Sequence, residues 1–411
     1  MNKKILDAEL RERARLVIPG GMYGHLNVGH ALMAPNYPQY FAKAEGSRIW
    51  DVDGNCYVDY LCGYGTNLLG YRNAEVESAA MAQMMLGDTM TGPGPAMVLA
   101  AEQLVSMISH ADWAMFCKNG SDANSIAMVC ARAHTGKSKI LLAKGAYHGA
   151  ANWNTPVMAG ITKEDRANII YFDYNDSDSL ADAFKRADGD VAGVYATPFR
   201  HEVFEDQFFP TQEYAEAART LCDEYGALLI VDEVRTGFRL GRDCYWTEKL
   251  GVSPDLSSWG KGIANGHPIS ALVGVESVRE AAKSVFVTGS FWYSAVPMAA
   301  TVQTLKMIQS SDYLERMVAA ADKLRDGIAE QAARYSFGLR QTGPSQMPQM
   351  LFDNDVDLKM GIEWTSAVLE AGAYLHPFHN MFLSSAHTSA DIDDTLEATE
   401  KGFMHLSKTC R

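Results

Sequence analysis

The chain has 411 residues, with 50 acidic side chains against 36 basic ones and a formal net charge of −14. Domains run to about 100–200 residues, so this length holds two or three of them, or one large α/β body with a satellite. At 47% hydrophobic and 21% charged it can bury a sizeable core, and its acidity argues against non-specific nucleic-acid binding, which needs a cationic footprint.

The seven cysteines are scattered and form no C-x-x-C pair. That pattern speaks against a disulfide scaffold or a structural zinc site, and it predicts a reducing, cytoplasmic compartment with no metal. Residues Met1–Arg15 are polar and charged, unlike a signal peptide, and no run of 18 apolar residues is present to span a membrane.

In chain order, the first clear element is Ile49–Tyr60, a hairpin that alternates around the turn Asp53-Gly54-Asn55. Apolar periodicity then predicts a helix over Ser121–His134, stopped by Gly136. Short apolar runs of buried-strand length follow at Lys139–Ala143, Ala167–Phe172, Val191–Ala196 and Ala227–Asp232. Helical patterns at Leu180–Ala187 and Gln212–Tyr225 separate the later ones. This alternation predicts an α/β fold with a mainly parallel central sheet flanked by helices. Strand ends at Tyr147, Asp232 and Lys261 would then gather at the carboxyl edge, where such folds bind ligands. The last hundred residues mix a helix, Tyr313–Tyr335, with short strands around Gln349–Phe352 and Met381–Ser384. No repeat, low-complexity segment or long linker interrupts the chain. The simplest division gives residues 66–305 to a large domain, with 1–65 and 306–411 combining into a smaller α+β one.

Four motifs could carry chemistry. Lys118-Asn119-Gly120-Ser121-Asp122-Ala123 opens a helix, whose free N–H groups favour an anion, although an ordinary N-cap reads the same way. Tyr147-His148-Gly149 offers an aromatic face with room beside it, or simply a loop aromatic that plugs the core edge. In Leu228–Phe238 four apolar residues end abruptly in Asp232 and Glu233. A carboxylate there needs a cationic partner, which a protonated pyridine nitrogen, a Lys or an Arg would supply. Lys261 stands between Gly260 and Gly262 in a segment poor in charge. Burial would lower its pKa and expose a nucleophilic amine, while a structural ion pair is the plain alternative. Jointly, the four supply what pyridoxal 5′-phosphate needs: an anion site, a stacking face, a pyridinium partner and a lysine amine.

With these motifs the sequence resembles the class III (fold type I) pyridoxal-phosphate-dependent aminotransferases, and within them the glutamate-1-semialdehyde aminomutase branch. The resemblance covers nearly the whole chain. It includes Ile18-Pro19-Gly20-Gly21, the hairpin Ile49–Tyr60, the NGSDA turn, GAYHG, VDEVRTGFRLG, PDLSSWGKG and Ser385-Ala386-His387-Thr388. It implies that Lys261 is the Schiff-base lysine and that Asp232 pairs with the pyridine nitrogen. Tyr147 and Val234 would cover the two ring faces and Gly120 and Ser121 would hold the phosphate, with Asp122 and His148 also counted as cofactor-binding. A homodimer with shared active sites is implied too, in which Ser290, or Thr288 as the alternative hydroxyl, reaches the neighbouring cofactor's phosphate.

Two departures bear on substrate. Aminomutases of this type carry an Arg shortly after the Pro-Gly-Gly that grips the substrate carboxylate, and here ungapped matching places Asn27. Phe291, Trp292 and Tyr293 form an aromatic run that, with Tyr23, Tyr64 and Phe116, could wall an apolar entrance or simply pack an interface. These features point to a hydrophobic amine. The chain is also similar to bacterial aminotransferases that deaminate long-chain amino alcohols such as the aminopentol of hydrolysed fumonisin, with pyruvate as acceptor. Arg235, Arg239 and Arg200 are candidates for the 2-oxo acid carboxylate. An aminomutase or epimerase on the same scaffold is the alternative.

Overall fold

The computed structural model describes residues 5–409 except 28, 30, 31, 201 and 202. Two units divide the chain: Met1–Asn73, Glu202–Gln207 and Glu315–Arg411 in the first, Ala74–His201 and Phe208–Leu314 in the second. The short return of 202–207 to the first unit is marked by no shift in composition.

The first unit carries a four-stranded sheet. Strands β1 (Phe41–Glu45), β2 (Arg48–Asp51) and β3 (Cys56–Asp59) pair antiparallel, and Ala373–Tyr374 joins β3 in parallel. The expected hairpin is β2–β3. Its turn is fixed by Asp51, whose carboxylate accepts from the N–H groups of Asp53 (3.1 Å) and Asn55 (2.8 Å) and from the hydroxyl of Tyr57 (2.9 Å). Gln349–Phe352 is a strand as expected, paired antiparallel with Leu339–Thr342. Met381–Ser384 is not a strand. Its N–H groups bond alternately to two neighbours, Met381 to Pro348 O (2.8 Å), Phe382 to Tyr60 O (2.7 Å) and Leu383 to Gln346 O (3.0 Å). The segment is extended and satisfied, yet it builds no ladder with either side.

The second unit is built on a seven-stranded sheet. In chain order its strands are β4 (Trp113–Cys117), β5 (Lys139–Ala143), β6 (Ile169–Phe172), β7 (Val191–Ala196), β8 (Leu228–Asp232), β9 (Leu256–Trp259) and β10 (Ser270–Gly274). They lie in the spatial order β4-β10-β9-β8-β7-β5-β6. The pairs β5–β6, β5–β7, β7–β8 and β8–β9 are parallel, whereas β10 runs antiparallel to both β4 and β9. Strands β7, β8, β9 and β10 are buried along their whole length, so their runs are continuously apolar or small instead of alternating.

Helix Gly120–Thr135 covers this sheet with a stripe of small and apolar residues, Ala123, Ile126, Ala127, Cys130 and Ala131. They pack with Ile140, Tyr195, Ile230 and Leu272 in one core cluster. Gly136 ends the helix in the left-handed conformation (φ 68°), as the sequence predicts. Helix 212–225 matches its expected limits, and the Leu180 pattern extends from Ser177 to Arg186 behind an Asp176 cap. Among the described residues no helix is long and apolar enough to cross a membrane, and no group of three His, Cys, Asp or Glu is placed to hold a metal ion.

Candidate active site

Five strand-to-loop junctions of the second unit, after β4, β5, β7, β8 and β9, meet around one cavity of about 210 Å³. After β4 the chain turns at once into helix Gly120–Thr135. The cap is Asn119, whose Oδ1 accepts from Asp122 N (3.1 Å) while its Nδ2 donates to the Asp122 carboxylate (2.9 Å). Asp122 is therefore committed to the cap and does not line the cavity, but Gly120 and Ser121 do. The first N–H groups of a helix have no intrahelical acceptor and carry its positive dipole end, so this corner suits an anion. Gly120 is required there: a Cβ would stand 2.5 Å from Val234 Cγ1.

The loop after β5 brings Tyr147, His148 and Gly149. Tyr147 stays 39% exposed on the cavity wall, while His148 is buried. Gly149 has φ 114°, and a Cβ on it would come within 2.3 Å of Ser121 Oγ. Ser121 Oγ in turn accepts from Ala150 N (3.0 Å), so the two loops are stitched together beside the helix start.

At the end of β8, Asp232 meets neither Lys nor Arg through a hydrogen bond. Its Oδ2 accepts from Asn124 Nδ2 (2.8 Å) and His148 Nδ1 (2.8 Å), and its Oδ1 accepts from Val234 N (3.0 Å). Charge near this carboxylate comes from the next two elements. Lys261 follows β9 with φ 47°, a left-handed conformation that costs a non-glycine residue about 1–2 kcal/mol. Burial lowers its pKa to about 7, Arg235 and Arg239 push the same way, and Asp232 opposes them. Burial likewise lowers Arg235 to about 10, against the pull of Asp232 and Tyr147.

The expected cofactor residues Gly120, Ser121, Tyr147, His148, Asp232, Val234 and Lys261 thus share one cavity. Its parts fit a planar phosphorylated pyridine: an anion corner opened by a glycine, a Tyr and a Val as ring covers, an acceptor carboxylate and a partly deprotonated amine. Asn124, Thr197 and Thr236 also line it and were not singled out by sequence reasoning. The one signal for Asn124 was its place one turn after Gly120, on the otherwise apolar face of the helix.

Other candidates lie elsewhere. Thr288, Ser290, Phe291 and Trp292 belong to the same unit but not to the cavity wall, and Phe291 is 62% exposed. Phe116 is buried within β4, in register with Ala271. Arg239 is fully buried, Arg200 bridges to Phe208, and neither lines the cavity, whereas Arg235 does. Tyr23, Asn27 and Tyr64 are in the first unit. Asn27 holds its own turn, donating to Met22 O (2.7 Å) and accepting from Gly29 N (3.1 Å). Tyr64 sits in the left-handed run 62–65, edge-on to His25 (4.6 Å) and His379 (5.7 Å).

Comparison with known proteins places the chain in a family. The model of the family aminotransferase class-III matches residues 32–401. The chain is 59% identical to the aminopentol aminotransferase of Sphingopyxis macrogoltabida, over 96% of this chain and 93% of that protein. It is 32% identical to the 3-aminobutyryl-CoA aminotransferase of Cloacimonas acidaminovorans, over 97% of each. The FumI protein of Sphingopyxis sp. MTA144, solved in its PLP internal aldimine form, is 58% identical with a TM-score of 0.97, covering 98% of this chain and 97% of that one.

Proposed function

The chain belongs to the class-III aminotransferases, and from that membership we propose that it moves the amino group of a hydrophobic primary amine to a 2-oxo acid. A long-chain amino alcohol of the aminopentol kind is the donor we favour, and pyruvate the acceptor. Pyridoxal phosphate is the cofactor, and it supplies an aldehyde that carries the amino group and a ring that takes up an electron pair.

The chain's own residues have distinct tasks in this reading. The N–H groups of Gly120 and Ser121 bind the phosphate, with Ser121 Oγ anchored by Ala150 N. Tyr147 and Val234, both on the cavity wall, would hold the ring. Asp232, kept in place by Asn124, His148 and Val234 N, retains the proton on the ring nitrogen. Lys261 Nζ would take the proton from the substrate carbon and deliver it to the cofactor's C4′, a task suited to an amine with a pKa of about 7. Arg235 is the cation offered to the 2-oxo acid carboxylate, because of the three arginine candidates it alone lines the cavity.

The single observation that carries the reading is the meeting of Lys261, Asp232, Tyr147 and the Gly120–Ser121 helix start around one cavity. The amine class rests on the 59% identity to an aminopentol aminotransferase and on Asn27, whose amide is engaged with its own turn. A homodimer is part of the proposal. Met81, Met84, Met85 and Leu86 are exposed on helix Ala74–Leu86, and Val98 and Leu99 on helix Ala96–Met107, an apolar surface suited to a second copy. A cytoplasmic location accords with the free thiols of all six described cysteines.

The test is a donor screen with purified holoenzyme and pyruvate, read as alanine formed, beside a control lacking any 2-oxo acid. Long-chain amines should exceed glutamate semialdehyde, and Lys261→Ala should abolish turnover. Fast single-substrate isomerisation without alanine would make the protein an aminomutase instead.

A further inference from the structure

We propose that Asn124 is a positioning residue of the transamination, and that it decides which oxygen of Asp232 meets the ring nitrogen of the cofactor. The inference rests on the reading of the cavity given above.

Asn124 lies one turn into helix Gly120–Thr135 and is 1% exposed. Its Nδ2 carries two hydrogens, and both are used: one bond runs to Asp232 Oδ2 (2.8 Å), the other to the main-chain oxygen of His148 (3.0 Å). The second bond holds the loop that places His148 Nδ1 on that same Oδ2 at 2.8 Å. Oδ2 thus receives two donors, which fills its in-plane lone pairs. Among the described residues Oδ1 receives only the N–H of Val234. It keeps a lone pair, and Asp232 lines the cavity. The ring-nitrogen proton is therefore directed to Oδ1.

Several features fix Asn124 in this task. Its main-chain oxygen accepts from the Tyr195 hydroxyl, and the Tyr195 ring lies 5.0 Å from that of His148. Its own Oδ1 is buried with no hydrogen-bond partner. The amide is oriented wholly by its donor end, at the expense of its acceptor. An aspartate here would set a second carboxylate against Asp232. A leucine would match the volume but leave Oδ2 with one donor and the His148 carbonyl with none. Losing this donor loosens Asp232 and leaves Oδ2 a lone pair that competes with Oδ1 for the ring-nitrogen proton.

The experiment compares holoenzyme of Asn124→Leu, Asn124→Asp and Asp232→Asn with the wild type. Readouts are the pH dependence of bound-cofactor absorbance, the cofactor dissociation constant, and kcat and KM for the amine. Circular dichroism reports folding. Asn124→Leu should lower kcat by about 10- to 100-fold, the loss typical when a group that orients a functional ligand is removed. Its KM should stay within about twofold, cofactor should be held more weakly, and the absorbance titration should shift. Asn124→Asp, polar and of equal size, carries the same expectation should the leucine variant fail to fold. Unchanged absorbance titration and kcat in a folded Asn124 variant, beside a disabled Asp232→Asn, would overturn the role of Asn124 and leave the cavity reading standing. Wild-type behaviour in Asp232→Asn as well would overturn both. Lost thermal stability with an unmoved titration also refutes the proposal, since it makes Asn124 merely structural.

Discussion

Lysine 261 gives the sharpest test of the cavity's electrostatics, and the test needs no substrate. In the cofactor-free protein its amine titrates near 7, chiefly through burial, with Arg235 and Arg239 adding repulsion. An unfolded chain restores the ordinary value of 10.5. Below about pH 7 both states carry the proton, so the native state bears the whole cost of a poorly solvated ammonium. Above about 10.5 neither state does, and the cost is gone. Between those limits the unfolded chain holds a proton that the native state has released, so stability rises with pH by at most about 1.4 kcal/mol per pH unit. The full window is worth no more than about 5 kcal/mol. Lys261 keeps some contact with solvent, and water entering the cavity brings the figure to roughly 2 kcal/mol.

Lys261→Met keeps the length of the side chain and removes the charge. Cofactor-stripped Lys261→Met should therefore be the more stable protein at about pH 6, by roughly 2 kcal/mol, with the gap closing as pH rises through the window. Urea unfolding midpoints of both stripped proteins, taken at several pH values from about 6 to 10, measure this directly. A difference that stays constant with pH, or a methionine variant less stable at pH 6, would refute the claim that burial depresses this lysine.

Three further outcomes follow from the same geometry. Gly149→Ala forces a methyl group into Ser121 Oγ at a left-handed φ, so equilibrium dialysis should show pyridoxal phosphate held at least about tenfold more weakly, given the roughly 1–3 kcal/mol such strain costs. Arg235→Gln should raise KM for pyruvate by about 10- to 100-fold through loss of a charge-assisted bond; an equal rise for the amine would deny Arg235 a place at the acceptor carboxylate. Met85→Asp combined with Leu86→Asp, two side chains 86% and 80% exposed, should halve the sedimenting mass, and an unchanged mass would remove this surface from the dimer contact.

Four of the seven strands, β5 to β8, were legible as short apolar runs of buried-strand length. Runs such as Val191–Ala196 and Leu228–Asp232 carry no alternation to confuse with a helix, and they are too short to be one. Strands β4, β9 and β10 were not read from the sequence, and the antiparallel course of β10 leaves no mark on its run of apolar and small residues. The misread strand at Met381–Ser384 has a related cause. Its composition records burial and extension, both of which it has, while the choice of partners on either side depends on residues more than three hundred positions away in the case of Tyr60.

The candidate site divides along the same line, between what a residue is and what reaches it. Lys261 could be found because its glycine neighbours are visible in one dimension, and Gly260 is needed, as a Cβ there would meet Ser270 Oγ at 2.5 Å. Asp232 could be found because a carboxylate that ends an apolar strand is costly wherever it stands. The expectation that a cation answers it came from that cost alone. The structure answers it with an amide and an imidazole, brought from a helix and a loop that lie 108 and 84 residues upstream. Donors of this kind leave no run of charge to read in the sequence. They also suit the proposed chemistry better, because an Arg or Lys bonded to Asp232 would compete for the oxygen that the proposal offers to the ring nitrogen. A carboxylate held by hydrogen bonds, with one lone pair still open, keeps its charge available to the ligand.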